Sequence, residues 1–335
     1  MLNGDLVATS TPSGLAELID DAPPFLRDHW RRRPAVLRSG PRPTGSLTLD
    51  EADAALGTGA LHSPYVEMVR TDRIIPREAY TTSRTVNRVD HPGYADATRI
   101  RTLLHAGTTL VLRCVEQWHA GTAEFTRRLG EDLGRKVEAF FFVTPPGAQG
   151  LRLHRDDADV FVVQLNGSKQ WYVHQGPDSP QWRPGPASDS EPPVVSPLLR
   201  AGEVLYIPRG FAHYATGDSG LSVHLSLTVR DIATDDLQRA AQQLLFDAAP
   251  ANRRPLDDDS LLADARAMLD QLATRLPTLT PEQLLTAARA AQRAEALAQP
   301  SPGLTALAAS LGTPLETSLE TSPHETGPDS GHGGS

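Results

Sequence analysis

The sequence predicts a mainly β core, a barrel or double-sheet jelly roll, with a mixed α/β extension before it and a helical region behind it. Three observations predict this. Between residues 101 and 234, short apolar or alternating runs (TTLVLRCV, VEAFFFVT, DVFVVQL, KQWYVH, GEVLYIP, LSVHLSLTV) recur with turn residues between them. From about Asp235 the apolar spacing changes to that of amphipathic helices, as in DDLQRAAQQLLFDAA and TPEQLLTAARAAQRAEALA. The 335 residues, 39% of them hydrophobic, give room for one large domain with extensions or two modest ones.

Residues 1–100 read as the α/β extension. A helical pattern starts at about Gly14 and is broken at Pro23-Pro24. A short helix around Phe25–Arg32 is stopped by Pro34, AVLR opens a strand, and LDEADAAL at 49–56 is a further short helix. Residues 101–234 form the β core. TTLVLRCV suits a buried strand and makes Cys114 a buried structural thiol. A helix near Thr122–Leu133 ends at Gly134. Asn166-Gly167 between two alternating strands reads as a hairpin, and 176–197 is a Pro/Ser/Gly-rich loop. Residues 235–312 hold about three helices, one of them N-capped by Thr280. Their stripes pack on their own domain or on a second copy, so a homodimer is expected. Residues 313–335 are Ser/Thr/Gly/Pro-rich and expected to be disordered, with His324 and His332 solvated.

Charge and composition narrow the function classes. The net charge of −9 argues against a nucleic-acid-binding face. No run of about 18 apolar residues suggests a membrane span, and the N-terminus lacks the pattern of a secretory signal. A single cysteine excludes a disulfide framework and fits the cytoplasm. Only two of the 32 basic residues are lysines, Lys136 and Lys169.

The triplet His154-Arg155-Asp156 carries the chemistry. Residues two apart in a strand share a face, so His154 and Asp156 can take adjacent positions on one metal. A third ligand must come from another strand, and His213, after the Pro208-Arg209-Gly210 turn, supplies it. Two imidazoles and one carboxylate leave positions open, the arrangement of non-haem iron(II) oxygenases. Alone, such a triplet occurs by chance in surface loops; the β-rich context and the later P-x-G-x-x-H turn favour the metal. Lys169 reads either as a solvated hairpin residue or as the cation for the distal carboxylate of 2-oxoglutarate.

TPPGAQGLRLHRDDADVFVVQLNGSKQWYV and GEVLYIPRGFAHYA resemble the core of the cupin-type JmjC ribosomal oxygenases. FLRDHWRRRPAVL is similar to that family's opening motif. The likeness covers about residues 20–230. It implies a double-stranded β-helix with iron(II) at His154, Asp156 and His213, and 2-oxoglutarate and dioxygen as cosubstrates. It also implies Lys169 at the family's basic position, with Thr228 able to assist the same carboxylate. In SVHLSLT, Ser222, His224, Ser226 and Thr228 share one face, so His224 either lines the cosubstrate pocket or is a hydrogen-bonded structural histidine. Phe140 departs from the family, where some relatives carry Asn. The family often ends in a winged helix, which is not expected in full here.

The implied reaction is hydroxylation of an amino-acid side chain in a protein or peptide, a ribosomal protein being one candidate, with succinate and carbon dioxide released. The alternative is a tailoring hydroxylase for a free or carrier-bound amino acid. In either reading the walls of the substrate site are the 176–197 loop and the region around Asp72–Arg88. A cupin isomerase or metal-binding protein is the reading outside the oxygenases; it gives no role to Lys169.

Overall fold

Strand-forming runs, in chain order, become β1 (Ala35–Arg38), β2 (Val66–Val69), β3 (Thr81–Val86), β4 (Val89–Ala95), β5 (Thr109–Leu112), β6 (Lys136–Thr144) and β7 (His154–Arg155). They continue as β8 (Asp159–Asn166), β9 (Ser168–Val173), β10 (Gly185–Pro186), β11 (Leu198–Arg200), β12 (Glu203–Ile207), β13 (Ala212–Gly217) and β14 (Ser222–Arg230). The helices are α1 (Ala22–Asp28), α2 (Leu49–Thr58), α3 (Ala97–His105), α4 (Ala120–Leu133), α5 (Thr234–Leu245), α6 (Asp258–Arg275) and α7 (Pro281–Ala296). This computed structural model describes residues 13–38, 43–179, 181–188, 191–246 and 256–296. The expected disordered tail and the part of the helical region after 296 lie outside the described residues.

The strands form a seven-stranded antiparallel sheet, β1-β12-β8-β14-β6-β5-β2, and a five-stranded one, β10-β7-β13-β9-β11. This is the double-stranded β-helix the sequence predicts. β1 and β2, from the first hundred residues, close the two edges of the larger sheet. A separate hairpin, β3-β4, lies outside both sheets.

Period-two alternation decides which way each side chain goes. On β14, Val223, Leu225, Leu227 and Val229 join the main apolar core with Phe125 and Leu129 of α4 and Leu15 and Leu18 of the N-terminal segment. The alternate residues face the smaller sheet. β8 is buried on both faces: Phe161 and Val163 join the main core, while Val160 and Val162 pack with Trp171, Val173, Leu205 and Ile207 between the sheets. The core is therefore in two parts, and the space between the sheets is only partly filled by it.

Four local readings are corrected. Asn166-Gly167 is a corner between sheets. β8 pairs with β12 and β14, whereas β9 pairs with β11 and β13. Gly167 (φ 62) makes the corner possible, because a Cβ there would lie 2.3 Å from the Leu221 carbonyl oxygen. Pro23-Pro24 starts a helix rather than breaking one. These prolines occupy the first turn of α1, where no intrahelical N–H bond is lost. The segment from Gly14 forms only a turn, its Leu15 N–H held by the Asp132 carboxylate at 2.8 Å. Cys114 (φ 49) follows β5 and is half-buried, and burial raises its thiol pKa.

The opening motif docks on the larger sheet. Phe25 and Trp30 pack on Phe161 and Tyr206 with ring centroids 4.9–6.2 Å apart. The Arg31 N–H donates to the Tyr206 hydroxyl (2.8 Å), and that hydroxyl donates to buried Asp159 (2.6 Å). Arg31 also pairs with Asp159 (3.3 Å) and Asp231 (2.8 Å). Behind the sheets, Thr280 caps α7 by accepting from the Gln283 N–H (3.2 Å).

Candidate metal centre

The smaller sheet brings the two histidines together. His154 on β7 and His213 on β13 are directly opposed in the antiparallel register, with ring centroids 4.4 Å apart. β7 ends at Arg155, and Asp156 follows it on the turn. One Asp156 oxygen lies 3.6 Å from His154 Nε2 and the other 3.5 Å from His213 Nε2. One donor atom from each residue fits within a 4.8 Å cluster, the arrangement of a metal-holding triad.

The ring orientations are fixed from behind. His154 Nδ1 lies 2.8 Å from the Arg152 carbonyl oxygen, and His213 Nδ1 lies 3.0 Å from that of Phe211. A carbonyl only accepts, so Nδ1 donates in each ring and Nε2 is the atom turned towards Asp156. Burial pushes the His213 pKa down to about 4, against the pull of Asp156, so its imidazole is neutral at pH 7. Two imidazoles and a carboxylate on one side of an ion leave its other positions open.

A cavity of about 270 Å³ runs from this triad between the sheets, and Lys169, His224, Ser226 and Thr228 line it. Lys169 on β9 is buried, with Nζ 2.9 Å from Thr144 Oγ1 and 5.8 Å from the centroids of Phe142 and Trp171. No carboxylate among the described residues pairs with it. Burial without an anion lowers its pKa to about 7. His224 is buried and stacks on Phe142, with centroids 4.6 Å apart, and meets Trp171 edge-on. Burial first, and then the Lys169 charge, push its pKa well below the usual imidazole value. His224 Nδ1 and Trp171 Nε1 are buried with no hydrogen-bond partner among the described residues.

All six residues singled out from the sequence line this one cavity. The hydroxyl that Lys169 meets is that of Thr144. Thr144 stands opposite Ser222 in the β6–β14 register, whereas Thr228 stands opposite Glu138, six residues along β14. Thr144 and Trp171 were missed, although the signal was present. Period two carries the face of Phe140 and Phe142 on to Thr144, and the face of Lys169 on to Trp171. At the other end of the cavity, Arg113 stands 5.9 Å from the Phe140 ring centroid and pairs with Glu67 (2.6 Å), while Arg230 pairs with Glu138 (2.7 Å).

Comparison with known proteins bears on the same region. Residues 118–237 match the JmjC domain. Ribosomal oxygenase 1 of Gallus gallus is 31% identical over 202 residues, 57% of this chain and 32% of that protein. The Drosophila simulans protein named bifunctional lysine-specific demethylase and histidyl-hydroxylase NO66 is 39% identical over 101 residues, 28% of this chain and 12% of that protein. The chain thus spans about a third or less of the length of these curated relatives. Among solved structures, the Escherichia coli ribosomal oxygenase YcfD is similar with a TM-score of 0.49 and 20% identity, over 79% of this chain and 68% of that one. The residues that match the JmjC domain include His154, Asp156, Lys169, His213, His224 and Thr228, and the double-stranded β-helix surrounds them.

Proposed function

We propose that this protein is an iron(II)- and 2-oxoglutarate-dependent oxygenase that hydroxylates an amino-acid side chain in a protein or peptide. One observation carries the reading: a buried lysine without an anion among the described residues and a triad of two imidazoles and a carboxylate share one cavity. A carboxylate at the Lys169 end and a chelated ion at the triad end would satisfy both at once. A cupin isomerase has no use for the buried cation.

In this reading His154, Asp156 and His213 hold the ion, and the Arg152 and Phe211 carbonyls keep the imidazoles turned towards it. Lys169, steadied by Thr144, binds the distal carboxylate of 2-oxoglutarate. His224 stays neutral beside that cation, so it adds no repulsion between the charges of the pocket. Thr228 and Ser226 offer hydroxyls along the same wall. Phe142 and Trp171 exclude water from around the ammonium. When bound, iron(II) with 2-oxoglutarate and dioxygen supplies the oxidation, which yields succinate, carbon dioxide and one oxygen atom for a substrate C–H bond.

The relatives' names point to ribosomal proteins and histidyl side chains as substrates of those proteins, and a ribosomal protein is the first substrate to try here. A free or carrier-bound amino acid is the alternative. The protein is expected in the cytoplasm as a homodimer formed through 235–312, with 1–100 as the extension, 101–234 as the catalytic core and 313–335 as a tail.

The test is succinate formation from 2-oxoglutarate with iron(II), in the native protein and in His154→Ala. Turnover lost in the variant supports the reading. Absence of turnover in the native protein, together with no anaerobic absorption band from iron(II) and 2-oxoglutarate, sinks it. Mass spectrometry of ribosomes treated with active enzyme then separates the substrates: a gain of one oxygen on a ribosomal protein supports the protein substrate, and its absence turns the choice to small molecules.

A further inference from the structure

All three triad residues stand on or beside two turns, one after β7 and one before β13. A buried metal centre needs those turns held at a fixed separation, because a ligand displaced by a fraction of an ångström binds weakly. Three links join the turns directly. The Gly210 N–H donates to the Asp156 carbonyl oxygen (3.1 Å). Arg155, the middle residue of the triplet, donates to the Gly210 carbonyl oxygen (2.7 Å) and to that of Gln175 (2.8 Å). Arg209 pairs with the carboxylate of Asp157, next to the triad residue Asp156.

A fourth contact comes from the long loop before β11. The Trp182 ring lies under the Arg209 guanidinium, 5.9 Å from centroid to carbon. The turn fits closely against this loop, since a Cβ on Gly210 (φ 83) would stand 3.1 Å from both Pro177 and Trp182. The same loop supplies β10, which pairs with β7 so that Pro186 stands opposite His154. Thus β7, only two residues long, is flanked by β13 and β10.

We propose that Arg209, Arg155 and Trp182 form a brace that sets the geometry of the metal site, and that Pro177, Trp182 and β10 belong to the metal centre as positioning elements. None of the three lines the cavity, so each acts through the triad and is a positioning residue. The inference rests on the metal reading above.

The test is Mn(II) binding by the native protein, Arg209→Gln, Arg209→Lys and Trp182→Leu, followed by electron paramagnetic resonance, with the absorption spectrum of the Co(II) forms. Arg209→Gln and Trp182→Leu are expected to weaken Mn(II) binding by about 10–100-fold and to alter the Co(II) ligand-field bands. Arg209→Lys, which keeps the charge for Asp157, is expected to restore part of the affinity. A purely structural role would lower the melting temperature and leave the affinity of the folded fraction unchanged. Native binding with unchanged affinity and spectrum in both Gln and Leu variants overturns the brace alone. Failure of the native protein to bind Mn(II), Co(II) or iron(II) removes the metal reading, and the brace with it.

Discussion

A lysine ammonium buried against two aromatic rings is shielded from solvent and meets one hydroxyl, that of Thr144, among the described residues. Its pKa near 7, against 10.5 in the open chain, has two consequences of definite sign. Between those values the unfolded chain binds more protons than the folded one, so the cosubstrate-free protein gains stability as pH rises through about 7 to 10.5. Lys169→Met should remove this slope from melting temperatures measured across that window. Cosubstrate binding runs the other way. A carboxylate prefers the charged ammonium, so affinity for 2-oxoglutarate should fall as pH rises above about 7, by up to about tenfold per pH unit. Calorimetric titration in buffers of different ionisation heat would detect the accompanying proton uptake; no uptake at pH 8 would contradict the assignment. In the Met variant the affinity should drop about 10–100-fold, the loss expected for a charged hydrogen bond of roughly 1.5–3 kcal/mol.

At the scale of elements, the corner at Asn166-Gly167 decides the fold more than any single strand does. It turns the chain out of the larger sheet and into the smaller one, and so puts Lys169 across the cavity from β14. Gly167 is in the left-handed region, and a Cβ added there would meet the Leu221 carbonyl oxygen at 2.3 Å. Gly167→Ala should therefore cost at least about 1 kcal/mol of stability in urea unfolding, with a matching loss of 2-oxoglutarate affinity if the corner shifts Lys169. An unchanged unfolding midpoint would show that the close approach is not needed. The Tyr206–Asp159–Arg31 network acts in the same way for the N-terminal segment. Burial raises the Asp159 pKa, while the Tyr206 hydroxyl and Arg31 hold it down. Tyr206→Phe leaves the ring packing in place but removes two hydrogen bonds, and is expected to destabilise by about 1–3 kcal/mol.

At the scale of the whole molecule, α6 stands out because none of its residues is buried. It exposes Leu261, Leu262, Met268 and Leu269, a set of side chains that a chain acting alone would leave in water. This favours the homodimer. Leu262→Glu combined with Leu269→Glu should give a monomer in sedimentation equilibrium with little change in melting temperature, since both positions are about half or more exposed. A native protein that is monomeric at micromolar concentration would rule the dimer out.

The sequence by itself determined the local and periodic features of this protein. Alternation along β14 assigned its polar and apolar faces, helical spacing assigned α5 to α7, and the ligand chemistry of His154, Asp156 and His213 stood out because few residue types bind metals. These follow from short-range sterics and side-chain chemistry, which neighbouring residues carry between them. Tertiary structure alone decided the pairings over long separations. It made Asn166-Gly167 a corner instead of a hairpin, gave Lys169 the Thr144 hydroxyl as a partner, and laid Pro177 and Trp182 against the metal turns. Each of these depends on which strands meet across the sheets, and that is settled by burying two apolar cores at once, a condition no local stretch of sequence contains. The candidate metal triad was legible from its residue types; the contacts between the turns that carry it were not.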